Sequence, residues 1–357
     1  MTTALLLIGG AILLVAGAEL LVRGASRLAA AAGVPPLVIG LTVVAFGTSA
    51  PELSVSLGAT FAGQSGIAVG NVVGSNIFNV LFILGVSALI VPLAVKAQLV
   101  RLDLPVMVAT SVALLALAWD GVIGRLDGLL LFGGLVAYTA FLIVKGRSET
   151  AAATADAGLP AERTTPGGLL AAVGLALAGL ALLVAGSRFL VQGAVTLAAE
   201  LGVSDVVVGL TIIAAGTSLP EVATSVLASL RGERDIAIGN VVGSNIFNVL
   251  GILGLCGLVA DGGVAVAPSI LALDLPVMIA VALATLPIFF TGRRISRGEG
   301  VLFLGYYAAY TAFLVLSATQ HDALEGFTRA LLVVMPATVV AMVWTYGAGR
   351  RRADHAG

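Results

Sequence analysis

Two glutamates stand in stretches that are otherwise almost wholly apolar. Glu52 closes the run Gly47-Thr-Ser-Ala-Pro-Glu, and Glu221 closes Gly216-Thr-Ser-Leu-Pro-Glu. A charged side chain at the centre of a membrane helix costs about 2.5–3.5 kcal/mol on insertion scales, so each is a functional candidate by default. The bland alternative, pairing with an intramembrane base, has no partner here, because no Lys or Arg falls near the centre of these stretches. Pro51 and Pro220 have no N–H, which deprives the carbonyls of Gly47 and Gly216 of their helical donor. Thr48 and Ser49 precede Glu52 by four and three residues and therefore neighbour it on a helix; Thr217 and Ser218 do the same for Glu221. Each copy offers a carboxylate, two hydroxyls and loosened carbonyls. All are hard oxygen donors, which suit Ca2+, Mg2+ or Na+ rather than softer metals.

A second motif, Gly-Asn-Val-Val-Gly-Ser-Asn-Ile-Phe-Asn-Val-Leu, appears twice without change, from Gly70 and from Gly239. Ser75 and Asn79 lie four apart and share a helix face, as do Ser244 and Asn248. They are read as further ligands, with interhelical hydrogen bonding as the alternative. Asn71, Asn76, Asn240 and Asn245 are open between lining the site and bridging helices. Gly70 with Gly74, and Gly239 with Gly243, are read as close-packing positions. Two carboxylates with carbonyls can reach the six to eight oxygens that Ca2+ takes. Their two negative charges balance one Ca2+ or two Na+ equally, as exchange requires.

The elements that must hold these residues are membrane helices. The 357 residues are 59% hydrophobic and only 10% charged, with a mean hydropathy of +1.12. That composition predicts an all-α polytopic membrane protein. A shift of 169 residues lays Gly40–Gly85 over Gly209–Gly254 without a gap, and 29 of the 46 positions are identical. The predicted organisation is a first five-helix repeat over 1–146, a polar cytoplasmic linker over 147–166 and a second five-helix repeat over 167–318. Residues 319–357 supply an eleventh helix near 330–346, with an interfacial segment as the alternative, and a basic cytoplasmic tail. The N-terminal apolar run resembles a signal peptide, but Met1-Thr2-Thr3 has no basic residue and the run has an internal counterpart near 179–193, so it is read as the first span. Of the 18 Lys and Arg, 15 fall in loops after odd-numbered helices; Arg125, Arg188 and Arg329 do not. The positive-inside rule then puts the N-terminus outside and the C-terminus in the cytoplasm. Five helices per repeat is an odd number, so the repeats are inverted, an arrangement found mainly in transporters with the site at the midplane.

The doubled motifs resemble the two signature repeats of the sodium/calcium exchanger family, within the cation/calcium antiporters. The resemblance covers both halves to about residue 318. It implies two inverted five-helix repeats whose second and third helices bend around the ions. It further implies that Glu52 and Glu221 bind both Ca2+ and Na+, and that the backbone oxygens of Thr48 and Thr217 face Ca2+. Ser49, Ser75, Ser218 and Ser244, with the carbonyls of Ala45 and Ala214, would serve flanking Na+ positions, and Asn79 and Asn248 would complete the centre. Some members carry aspartate where this chain has Asn248, and animal exchangers carry a large regulatory loop where this chain has a short linker.

The expectation is therefore a Na+/Ca2+ antiporter working by alternating access, in which the Gly-rich first and sixth helices slide past the core. Antiport coupled to H+ or dependent on K+ in the same fold is the near rival; a passive cation channel is the rival of another class. An enzyme is disfavoured, since no nucleophile–base pair or nucleotide-binding loop is visible. No cofactor is expected, only the transported Ca2+ and Na+, with the lipid bilayer as surroundings and neither nucleotide nor nucleic acid as partner. Short linkers and the excess of Arg over Lys suggest a bacterial inner membrane. His321 and His355 fall in a loop and the tail, which excludes an intramembrane histidine–metal site, and Cys256 reads as a small buried hydrophobe. Asp103 and Asp274, each two residues before a proline, are read as helix caps.

Overall fold

Apolar stretches of this length satisfy all their backbone N–H and C=O groups within the segment only as helices, and helices are what form. The computed structural model describes residues 2–156, 166–203, 205–290, 294–334 and 338. In the first half, α1 spans Thr2–Ala32, a bent pair of α2 (Pro36–Thr48) and α3 (Ala50–Phe61) meets at 47°, α4 spans Gly66–Ile90, α5 Leu99–Leu117 and α6 Arg125–Asp156. The second half repeats the order: α7 (Pro166–Glu200), α8 (205–216) with α9 (Leu219–Leu230), α10 (Arg234–Val259), α11 (270–290) and α12 (Arg297–Ala318). Helix α6 thus runs ten residues beyond position 146, through an Ala-rich stretch in which Lys145 pairs with Glu149 at 3.3 Å. Of the expected eleventh helix, only 330–334 and Thr338 are described, and 324–334 is already helical.

The helices are not equally wet by lipid. Within the best apolar window of α10, 89% of residues are buried inside the protein, and of α4 72%, against 17% for α6 and 6% for α12. The two helices with the Asn-rich motif therefore form the centre, where their amides can find protein partners. Helices α1 and α7 run together along their length. A Cβ on Gly17 would come within 2.8 Å of the Gly179 carbonyl, and one on Gly10 within 2.9 Å of the Gly186 carbonyl, so the backbones themselves touch. Small residues permit this approach.

Inversion is visible at the helix ends. Strand β1 (Leu93–Ala94) pairs antiparallel with β4 (Arg294–Ile295), joining the α4–α5 and α11–α12 turns. Strand β2 (Val122–Ile123) pairs with β3 (Val264–Ala265), joining the α5–α6 and α10–α11 turns. Lys96 meets Asp235 at 2.5 Å, and Glu19 meets Arg231, at the end shared with β1 and β4. Arg125 meets Asp261 at the opposite end. Each strand pair joins loops that the alternation of spans puts on one face.

The capping reading of Asp103 and Asp274 is corrected. Neither caps: Asp103 has helical backbone angles and no capping bond. Its Oδ1 accepts from the Tyr138 hydroxyl at 2.9 Å, and Asp274 Oδ1 accepts from Tyr310 at 2.8 Å. The pairs tie the fourth span to the fifth in each repeat. Tyr138→Phe and Tyr310→Phe are expected to cost roughly 1–2 kcal/mol each, the value of a hydrogen bond whose buried acceptor is left unpaired. Thermal unfolding in detergent measures this; an unchanged transition in both variants would contradict the role.

Candidate ion-binding site

The two Pro-Glu motifs sit where a span is broken. Ser49 leaves the helix at φ −81°, ψ 9°, and Ser218 at φ −89°, ψ 8°. Each proline occupies the first turn of the new helix, where its missing N–H costs nothing. Glu52 and Glu221 follow within that turn, near the positive end of the helix dipole. Both are fully buried, as are Thr48, Ser49, Ser218 and Ser244.

The repeats cross-brace each other. Ser218 Oγ donates to Glu52 Oε1 at 2.7 Å, and Ser49 Oγ donates to Glu221 Oε1 at 2.9 Å. Each glutamate is thus held by the serine of the other repeat. Asn71 Nδ2 donates to the Glu52 carbonyl at 3.2 Å and to Ser56 Oγ at 3.0 Å; Asn240 does the same to the Glu221 carbonyl at 3.4 Å and to Ser225 Oγ at 3.0 Å. These asparagines bridge helices. Asn76 also bridges, donating to the Asn245 carbonyl at 3.1 Å and accepting from Asn248 Nδ2 at 3.0 Å. Asn245 Nδ2 turns back to the Val241 carbonyl.

Among the described residues, several buried polar atoms here have no hydrogen-bond partner: Glu52 Oε2, Glu221 Oε2, both amide atoms of Asn79, Asn248 Oδ1, Asn245 Oδ1, Ser244 Oγ, Thr217 Oγ1 and Thr224 Oγ1. A buried, unpaired oxygen is costly unless something fills its valence, and no base lies among these groups. Among the described residues no three His, Cys, Asp or Glu cluster as a softer metal would need. The donor set fits a hard cation.

Several expected ligands are placed less symmetrically. The Ala45 carbonyl is buried and accepts from the Ser49 N–H at 3.0 Å and the Thr48 hydroxyl at 3.4 Å. Ala214 is exposed, and Ser218 N–H bonds the carbonyl of Ala215 instead. The Thr48 hydroxyl also donates to Asn240 Oδ1 at 2.9 Å, whereas Thr217 Oγ1 makes no such bond to Asn71. Ser218 reaches Ser75 Oγ at 3.2 Å, whereas Ser244 Oγ is unpartnered. Among the described residues the glycine reading holds in one copy only: Gly239 and Gly243 press on the α2 backbone, while Gly74 has nothing within 4 Å and Gly70 only a side chain at 3.9 Å.

Spacing arguments missed one feature. Short π-helical turns open at Gly40 and Gly209, at Asn79 and Asn248, and at Leu99 and Ile270. Each is present in both repeats, and π turns concentrate at functional sites. The repeated Asn that begins the second pair was the only available signal.

Inverted helical repeats that meet on buried carboxylates, hydroxyls and amides define a multi-pass membrane transporter rather than an enzyme. The comparison with known proteins makes this specific. The chain belongs to the sodium/calcium exchanger protein family, whose model matches residues 2–144 and 171–316. It is 39% identical over 320 residues to the inner membrane protein YrbG of Escherichia coli, covering 88% of this chain and 97% of that one. It is 35% identical over 322 residues to the sodium/calcium exchanger MaX1 of Methanosarcina acetivorans, covering 81% and 91%. Its fold is similar to that of the sodium-calcium exchanger NCX_Mj, with a TM-score of 0.75 at 30% identity over 88% of this chain and 99% of that one. Membership makes the chain a cation/Ca2+ antiporter by family.

Proposed function

We propose that the protein exchanges Na+ for Ca2+ by alternating access at a site near the membrane midplane, shared by both repeats. One repeat spans 1–146 and the other 167–318, on either side of the linker. The observation that carries this reading is the crossed Ser–Glu bracing, which leaves one oxygen of each glutamate buried and unpartnered. Two ionised carboxylates in a low-dielectric site cost several kcal/mol each unless compensated. One Ca2+ or two Na+ neutralise them equally, and the empty pair is the unfavourable state. Glu52 and Glu221 are the central ligands. Thr48, Thr217, Ser49, Ser218, Ser75, Ser244, Asn79, Asn248 and the carbonyls of Ala45 and Ala214 supply the remaining oxygens.

The unequal halves support alternating access. Ser54, Val55, Gly58 and Gly70 are exposed, whereas their counterparts Thr224 and Gly239 are buried and Ala223 and Leu227 half-buried. Helix α1 lies against α9, but α7 scarcely touches α3. All four exposed positions lie beside the α3–α4 turn, between Glu52 and the opening turns of α4, and that side is read as the open one. The basic loops assign that side as extracellular, with the N-terminus outside, the C-terminus cytoplasmic and a bacterial inner membrane as the setting. The glycines bring the α1 and α7 backbones into contact with each other, so the pair can move as one unit against the core.

The test is Ca2+ uptake into liposomes carrying the protein, loaded with Na+ and diluted into Na+-free buffer. Uptake that needs internal Na+ is the expected result. Uptake driven by a pH gradient, or only when K+ accompanies Na+, would replace the coupling ion. Uptake indifferent to every counter-ion would overturn antiport in favour of a channel.

A further inference from the structure

The two motif kinks are not alike, and a residue outside both motifs separates them. In the first repeat only Ser49 leaves the helix; in the second, Thr217 and Ser218 both do. Pro220 deprives the Gly216 carbonyl of its helical donor, yet that oxygen is satisfied: Ser187 Oγ, from α7, donates to it at 2.6 Å. Ser187 is 5% exposed, and one turn along the same face Val191 lies so close that a Cβ on Gly216 would come within 2.4 Å of it. Helix α7 is therefore locked onto this kink by shape and by one hydrogen bond. At the first kink the nearest atoms to a Cβ built on Gly47 belong to the apolar Leu180 of the same helix, 2.6 Å away. The residue equivalent to Ser187 on α1 is Ala18, fully buried and without a donor.

We propose that Ser187 is a positioning residue that holds the second kink in the conformation seen here, and that Ala18 in its place on α1 makes the two access states unequal in energy. This rests on the exchange reading above. When the protein opens to the other face, the repeats trade roles, and the equivalent bond from α1 to Gly47 cannot form. Ser187 thereby favours the state in which Ser54 and Gly70 are exposed. The affinity measured from a given face scales with the population of the state open to it, so Ser187 governs the ratio of the affinities seen from the two faces.

The experiment compares Ca2+–Ca2+ exchange in right-side-out and inverted membrane vesicles for the wild type, Ser187→Ala and Ser187→Thr. Losing one buried hydrogen bond is expected to change the ratio of half-saturation concentrations between the two orientations by about threefold to tenfold. Apparent affinity weakens at the face now open, and Ser187→Thr, which keeps the hydroxyl, stays near the wild-type ratio. An unchanged ratio in Ser187→Ala overturns the proposal, even if the maximal rate falls, because a packing role alone would lower rate or yield without moving the ratio. Absence of exchange by the wild type in both orientations would instead sink the exchange reading itself.

Discussion

Glu52→Gln and Glu221→Gln, made singly, are expected to lower Na+-driven Ca2+ uptake by about two to three orders of magnitude. The substitution is close to isosteric. The amide oxygen can still accept from Ser218 or Ser49, which now bond Glu52 and Glu221 at 2.7 and 2.9 Å. Only the charge is lost. A divalent ion in the altered site would face one carboxylate and carry an uncompensated positive charge into a buried environment, a mismatch that typically costs about 3–5 kcal/mol. The double variant should be little worse than either single one if the two groups act on one ion, as proposed. Ca2+ should raise the thermal transition of the wild type by mass action and leave both variants unmoved. Without added ions the variants should be at least as stable as the wild type, because each removes a buried charge that nothing compensates. A single variant that kept more than a tenth of the uptake would remove that glutamate from the ion's coordination.

Gly243→Ala and Gly74→Ala alter the same glycine in two identical motifs, and the expected results are opposite. A Cβ on Gly243 would lie 2.5 Å from the Leu41 carbonyl oxygen, 2.7 Å from Leu41 Cα and 2.8 Å from Ala45 Cβ. Two of these are backbone atoms, so α10 and α2 must separate, at the helix pair that carries Thr48 to Asn240. Overpacking of this kind costs about 1–3 kcal/mol and shifts the backbone. Gly243→Ala should therefore lose most uptake and destabilise the protein. A Cβ on Gly74 meets nothing within 4 Å among the described residues, and Gly74→Ala should keep near-normal stability and folding yield. Uptake at normal yield separates altered ion handling from misfolding. Equal tolerance at both positions would show that α2 does not press on α10 as described.

These two glycines mark where reading the chain stopped. The repeated Pro-Glu motifs, the odd number of spans and the distribution of Lys and Arg exposed the inverted architecture, and the absence of any nearby base singled out both glutamates. Periodicity also brought Ser and Asn to one face of each central helix. It could not show that each serine would bond the other repeat's glutamate, because that depends on how the halves dock. Nor could identical letters show unlike surroundings. Asn240 is buried and accepts from Thr48, while Asn71 is half-buried with no bond from Thr217. The difference lies in the relative placement of α2 on α10 and α8 on α4, which no local pattern encodes. The Asp–Tyr pairs were legible in hindsight, since both members recur in both repeats. The proline two residues after each aspartate drew the reading toward a cap instead.

The crossed bracing also bears on how the protein is made. Ser218 lies 166 residues after the glutamate it supports. At about 5–20 residues per second, a translating ribosome needs roughly ten to thirty seconds to supply it. Through that interval Glu52 waits in a half-built protein with its partner unsynthesised, and the first repeat must be chaperoned, protonated or held at the insertion machinery until the second arrives. Assembly of the site is then a late event in biogenesis, completed only when the second repeat docks on the first.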